Sequence, residues 1–113
     1  MSKGMKYDEG KPDWTLVPFN AMDQVVSGLT YGATKYDRHN WRKIEPLRYH
    51  AAAMRHISSF MQGQVIDRES GLHHLAHAIC SLLIALEHDT NQRNIGIANK
   101  EDENGESKET KLS

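Results

Sequence analysis

The chain has 113 residues and a mass of 12.9 kDa, which suits one small domain and excludes a multi-domain machine. Fourteen Lys and Arg stand against fifteen Asp and Glu, a formal net charge of -1, so no bulk field draws the molecule onto DNA or a membrane. Hydrophobic residues make up 38% and charged residues 26%, enough for a modest core with polar excess left over.

Residues 1–17 read as an N-terminal arm, with Trp14 to Val17 as a short extended piece. The opening Met1-Ser2-Lys3-Gly4 lacks the apolar run of a signal peptide, and a single cysteine, Cys80, cannot form an internal disulfide, so a cytoplasmic location is expected. Pro18 can start a helix, where its missing N–H costs nothing, and Phe19, Met22, Val26, Leu29 and Ala33 follow at three-and-four spacing. Gly32 marks the expected end. A second helix is predicted from Pro46, with Leu47, His50 or Ala51, Met54, Ile57 or Ser58, and Met61 in register until Gly63.

Asp67-Arg68-Glu69-Ser70-Gly71 leads into the third helix, with Ser70 as its expected N-cap. Its stripe is Leu72, Leu75, Ile79, Leu82 and Leu86, widened by Ala76 and Leu83. Residues 96–113 form an expected disordered acidic tail, with three Lys and five acids from Asn99 onward. The longest apolar stretch, Ile79 to Leu86, falls far short of the ~20 residues a membrane helix needs. No period-two run is long enough for a central strand, and phosphate-loop and dinucleotide-binding glycine patterns are absent. The expected fold is all-α: a small bundle of three main helices over residues 18–95. Its core is so small, and the face of the third helix so wide, that homo-oligomerisation is expected to complete it.

The near-zero charge hides an uneven distribution. Between Lys35 and His56, six bases face only Asp37 and Glu45, a local balance of +4. The connection from Gly32 to Trp41 interleaves bases with aromatics: Lys35 and Arg38 can hold phosphates, Tyr36 and Trp41 can stack on a base, and Asn40 can pair with a base edge. The plainer alternative is that Tyr36 and Trp41 pack the loop onto the core while the bases stay solvated. On the second helix, Arg48 and Arg55 are seven apart and share a face, suited either to an anionic ligand or to solvent.

The densest constellation is Asp67 to Ala78. His74 and His77, or His73 and His77, lie within one helical turn, so either pair could ligate a divalent ion, with Asp67 or Glu69 adding oxygen. No His-Glu-x-x-His and no cysteine pair is present, so zinc is weakly indicated, and phosphate contact or a structural role stays open for these histidines. Cys80, between Ile79 and Ser81, reads as a packing residue.

Several blocks recur together: Gly10-Lys11-Pro12-Asp13-Trp14 with Leu16 and Pro18-Phe19; Gly32-Ala33-Thr34-Lys35-Tyr36 with Asn40-Trp41; Arg55-His56; and Asp67-x-Glu69-Ser70-Gly71 with His74, His77 and Ala78. In this order they resemble the N-terminal domain family of phage dATP/dGTP diphosphohydrolases, over residues 10 to about 88. The resemblance implies a phage or prophage origin, hence the host cytoplasm, and work on purine nucleotides. Together with the residue chemistry above, the expected ligand contacts are Lys11, Trp14, Lys35, Tyr36, Asn40, Trp41, Arg42, Arg55, His56 and His74. Glu69 and His77 are the expected catalytic pair, and Asp67, Glu69, His74 and His77 the expected ligands of magnesium or manganese.

The related MazG-like all-alpha pyrophosphohydrolases bind magnesium through acidic pairs, Glu-x-x-Glu and Glu-x-x-Asp, on neighbouring helices. The helical body here has neither pair. The sequence therefore supports a phage-type purine-nucleotide-binding protein, either hydrolysing a phosphoanhydride with a divalent metal or acting as a metal-free sponge. Such a sponge would sequester a nucleotide immune signal, cyclic or ADP-ribose-derived, against host defence. A membrane partner and a nucleic-acid duplex are not expected.

Overall fold

In the computed structural model, residues 4–104 are described, with side chains as far as Gly96. Three helices carry the fold: α1 over Phe19–Lys35, α2 over Pro46–Met61 and α3 over His74–Asn104. Short 3-10 turns lie at Trp14–Leu16 and Asn40–Lys43. Among the described residues there is no strand, only an isolated antiparallel bridge between Ile66 and His73. The all-helical expectation holds for the described residues, and none of their helices is long and apolar enough to cross a membrane.

Local chemistry sets the boundaries. Pro18 caps α1 and Pro46 occupies the first turn of α2, positions where no amide hydrogen is needed. α1 runs a turn past Gly32, which accepts the Tyr36 N–H on its carbonyl instead of breaking the helix. One glycine inside a helix costs about 1 kcal/mol, too little to end it. Trp14 to Leu16 is a 3-10 turn and not an extended piece, because the Asp13 carboxylate accepts the Thr15 N–H at 3.0 Å and curls the chain.

The largest difference from expectation is the start of α3. Ser70 does not cap it; the helix begins four residues later, at His74, and the Nδ1 of His73 accepts the Leu75 N–H at 3.0 Å. Ser70 instead closes a turn with Asp67, whose Oδ2 accepts both the Ser70 N–H at 3.0 Å and its hydroxyl at 2.7 Å. Gly71, at φ +74°, takes the left-handed conformation this turn requires and donates its N–H to the Asp67 carbonyl at 2.8 Å. At the other end, the segment expected as a tail falls partly on α3, whose backbone continues to Asn104, and partly on residues 105–113, outside the described residues.

α3 is the spine, with α2 packed along it and α1 crossing it on another side. The core is small and built of small side chains: Val25, Ala53, Ala76, Ala78, Cys80 and Ala85 are buried. Small residues let the helices approach closely, and the tightest point is Gly28, where an added Cβ would lie 2.6 Å from the Cys80 sulfur. Cys80 donates its S–H to the Val25 carbonyl at 3.0 Å, and burial pushes its thiol up to about 11. It is a packing residue, as its position in the apolar run suggests.

Candidate functional site

The described residues present two candidate regions, on opposite flanks of the α1 face that meets α3. The first is an open cleft of about 470 Å³ between α1, the α1–α2 connection and α3. Leu29, Ala33, Cys80 and Ile84 form its apolar floor, and Tyr36, Arg38, His39, Asn40, Trp41 and Tyr49 surround it. Trp41 is held from behind: the Nε2 of His88 donates to the Trp41 carbonyl at 2.6 Å, and the two rings meet edge-to-face with centroids 5.2 Å apart. The Arg42 guanidinium sits 5.3 Å from the centroid of the Trp41 ring, placing a cation at the cleft margin. Burial raises the Tyr49 phenol above its ordinary value, so it stays a neutral hydroxyl donor. An apolar floor, aromatic edges and peripheral cations suit a flat ring with an anionic appendage.

The second region is a polar cluster where α1, α2, the α2–α3 connection and the start of α3 converge. His56 of α2 meets His74 of α3 with their Nδ1 atoms 2.9 Å apart, and its ring stacks on His77 at a centroid distance of 4.8 Å. The Nε2 of His77 lies 2.6 Å from the Ser70 hydroxyl and 3.6 Å from Asp67 Oδ2. Tyr31 packs its ring edge on His77 and donates to Glu69 at 3.3 Å, while Lys35 forms an ion pair with Glu69.

Each ionisation follows from these neighbours. Burial lowers the His56 and His77 imidazoles below the usual histidine range, and the other histidines add to the effect on both. Burial pushes the Asp67 carboxyl up, but the hydrogen bonds from Ser70 and the adjacent imidazoles outweigh it and hold it below the usual range. The hydrogen bond with Lys35 lowers Glu69 and raises Lys35.

The structure thus divides the residues singled out in the sequence. Tyr36, Asn40 and Trp41 reach the cleft and Arg42 its margin. Lys35, His56, Asp67, Glu69, His74 and His77 gather in the cluster. Lys11 and Trp14 are exposed on the arm ahead of α1, and Arg55 is exposed on α2 beside His56. Tyr49, which stands out on the second helix in sequence, also reaches the cleft, whereas sequence reasoning missed Tyr31 and His88. Tyr31 stands four residues before Lys35, a spacing that places the two on one helix face. No local spacing could reveal His88, which lies 47 residues from the carbonyl it holds.

Magnesium wants converging oxygens. Here Asp67 is engaged by Ser70, and Glu69 by Lys35 and Tyr31. The nearest approach of potential ligands is the His56–His74 nitrogen pair, and no third His, Cys, Asp or Glu among the described residues completes a metal-holding group. As arranged, this donor set does not fit the ion, and no chemical step is assigned to one.

Comparison with known proteins agrees with the block pattern. A dATP/dGTP diphosphohydrolase of Salmonella phage PMBT28 is 35% identical over 80 residues, covering 71% of this chain and 28% of the relative. The chain therefore spans little more than a quarter of that relative's length. No solved structure matches. The family described as dATP/dGTP diphosphohydrolase, N-terminal, matches residues 1–98, and the chain belongs to that family.

Proposed function

We propose that the chain binds a purine nucleotide in the cleft between α1, the α1–α2 connection and α3. The observation that carries this reading is the cleft itself: its volume of about 470 Å³ lies in the range of small-molecule sites, and Tyr36, Trp41 and Tyr49 bring aromatic rings to it. A purine stacks on Trp41 or Tyr36 and pairs an edge with Asn40, while Arg38 and Arg42 meet the phosphates. The phage relative is a dATP/dGTP diphosphohydrolase, which supports the same ligand class.

Hydrolysis is the second reading, and the polar cluster is its location. There His77, with its lowered basicity, would take a proton from water, with Glu69 beside it, and Lys35 would steady phosphate charge. Against it stands the engagement of both carboxylates, which favours binding without turnover and with it a sponge role, sequestering a cyclic or ADP-ribose-derived immune signal in the host cytoplasm. The test is incubation of the whole chain with dATP, dGTP and a panel of cyclic and ADP-ribose nucleotides, with and without magnesium or manganese. Chromatography before and after heat denaturation reads the outcome. Intact ligand released on heating supports binding, and product formation supports hydrolysis. No retained or altered nucleotide in any arm overturns both.

A further inference from the structure

We propose that the chain pairs with a second copy of itself through the face of the α2–α3 hairpin that lies away from α1. α1 covers one side of α3 through Val25, Gly28 and Cys80. The side that α3 shares with α2 carries a different, uncovered set. On α2, Leu47, Met54 and Met61 repeat every seven residues and are 64%, 70% and 77% exposed. On α3, Ile79, Leu82 and Leu86 continue a three-and-four stripe and are 44%, 48% and 63% exposed. A groove lined by Pro46 and His50 from α2 and by Leu82, Leu86 and, at its polar end, Asp89 from α3 joins the two stripes into one surface.

Two observations select a second copy as the occupant. At roughly 200 Å² for a large side chain, these six residues leave on the order of 700 Å² of surface uncovered, close to one partner's share of a standard interface. The stripes carry no Lys, Arg, Asp or Glu between Leu47 and Met61 on this face of α2 or between Ile79 and Leu86 on that of α3, and Asp89, the acid at the groove, is paired with Arg93 on its own helix, so two copies meet with little like-charge repulsion. Two hairpins facing each other across a two-fold axis form a four-helix core, in which the surface that needs covering is also the surface that covers.

Sedimentation velocity of the whole chain without nucleotide, from about 5 to 100 µM, tests the pairing independently of the cleft. The expected species has twice the 12.9 kDa chain mass. Leu82→Glu and Met54→Glu each bury a carboxylate in the proposed contact and should raise the dimer dissociation constant at least about 100-fold, with helical circular dichroism retained. If Leu82→Glu loses its helical signal, Met61→Glu, at the exposed end of α2, repeats the test. Tyr36→Glu, on the α1 side, should leave the dimer intact. A monomer across the whole range overturns the proposal and assigns the face to a different chain or segment. A dimer that survives the face substitutions overturns it too.

Discussion

The cleft and the histidine cluster lie on two flanks of the same helix, yet their polar groups are in opposite states. In the cluster, Asp67, Ser70, His56, His74 and His77 already satisfy one another through hydrogen bonds and stacked rings, and Glu69 is held by Lys35 and Tyr31. In the cleft, aromatic side chains line an apolar space, with the backbone of the Asn40–Lys43 turn fixed by His88 from behind. A prewired polar network organises a fold and gives up hydrogen bonds when it accepts a ligand, whereas an apolar cleft gains buried area. The difference teaches that a dense set of histidines can be spent on holding a fold together, while the aromatics of the cleft keep room in front of them, and the proposed binding reading rests on that room.

Breaking the scaffold that the regions share should have the largest effect. Gly28→Val drives a branched side chain into the Cys80 sulfur and should destabilise the fold by about 2–3 kcal/mol in chemical denaturation. An unchanged midpoint would mean that α1 does not sit on α3 as described. Trp41→Ala should come next and separate the regions. It should weaken purine-nucleotide binding about tenfold or more in calorimetry, as expected for the loss of a stacked ring worth roughly 1–3 kcal/mol. The matching change in the cluster, His74→Gln, should alter binding less than about threefold, and equal losses from both would erase the distinction between the regions.

His88→Ala tests how Trp41 is positioned. Removing the imidazole frees the Trp41 carbonyl and should weaken nucleotide binding about fivefold, roughly 1 kcal/mol, with the Trp41 ring itself still present. Wild-type affinity in that variant would show that the turn holds its shape without its anchor.

Acid sharpens the cluster side. His56 and His77 are lowered from 6.5 in the folded chain, so on acidification the unfolded chain takes up protons first. Their contribution to stability is complete above about pH 6.5 and is lost as the pH falls below it. The melting temperature should drop by a few degrees between pH 7.5 and 5.5, and His56→Gln should reduce that drop. A flat profile would contradict the burial of the pair. The smallest effect belongs to Lys35→Ala: its pair with Glu69 is exposed, so the loss should stay below about 1 kcal/mol in the same denaturation assay.

Much of the architecture was legible because helical periodicity is local. The Pro18 and Pro46 starts and the stripes of α1 and α2 place those helices within a few residues. The start of α3 was not legible, because Ser70 fits the N-cap pattern but spends its hydroxyl on Asp67 and His77, partners whose geometry depends on Gly71 and on tertiary contact. For the same reason the basic stretch from Lys35 to His56 reads as one patch in sequence and divides in space. Lys35 turns toward Glu69, Arg42 lies over Trp41, and Arg55 stays exposed. Sequence spacing shows which residues share a helix face, and only packing decides which faces meet.

The most direct test of the central claim uses the two tryptophans, Trp14 and Trp41. With Trp14→Phe leaving Trp41 as the sole indole reporter, titration with dATP or dGTP should quench its emission saturably, with a midpoint matching calorimetry on the unmodified chain. Emission that stays unchanged up to millimolar nucleotide, together with a silent calorimeter, would contradict purine binding at the cleft.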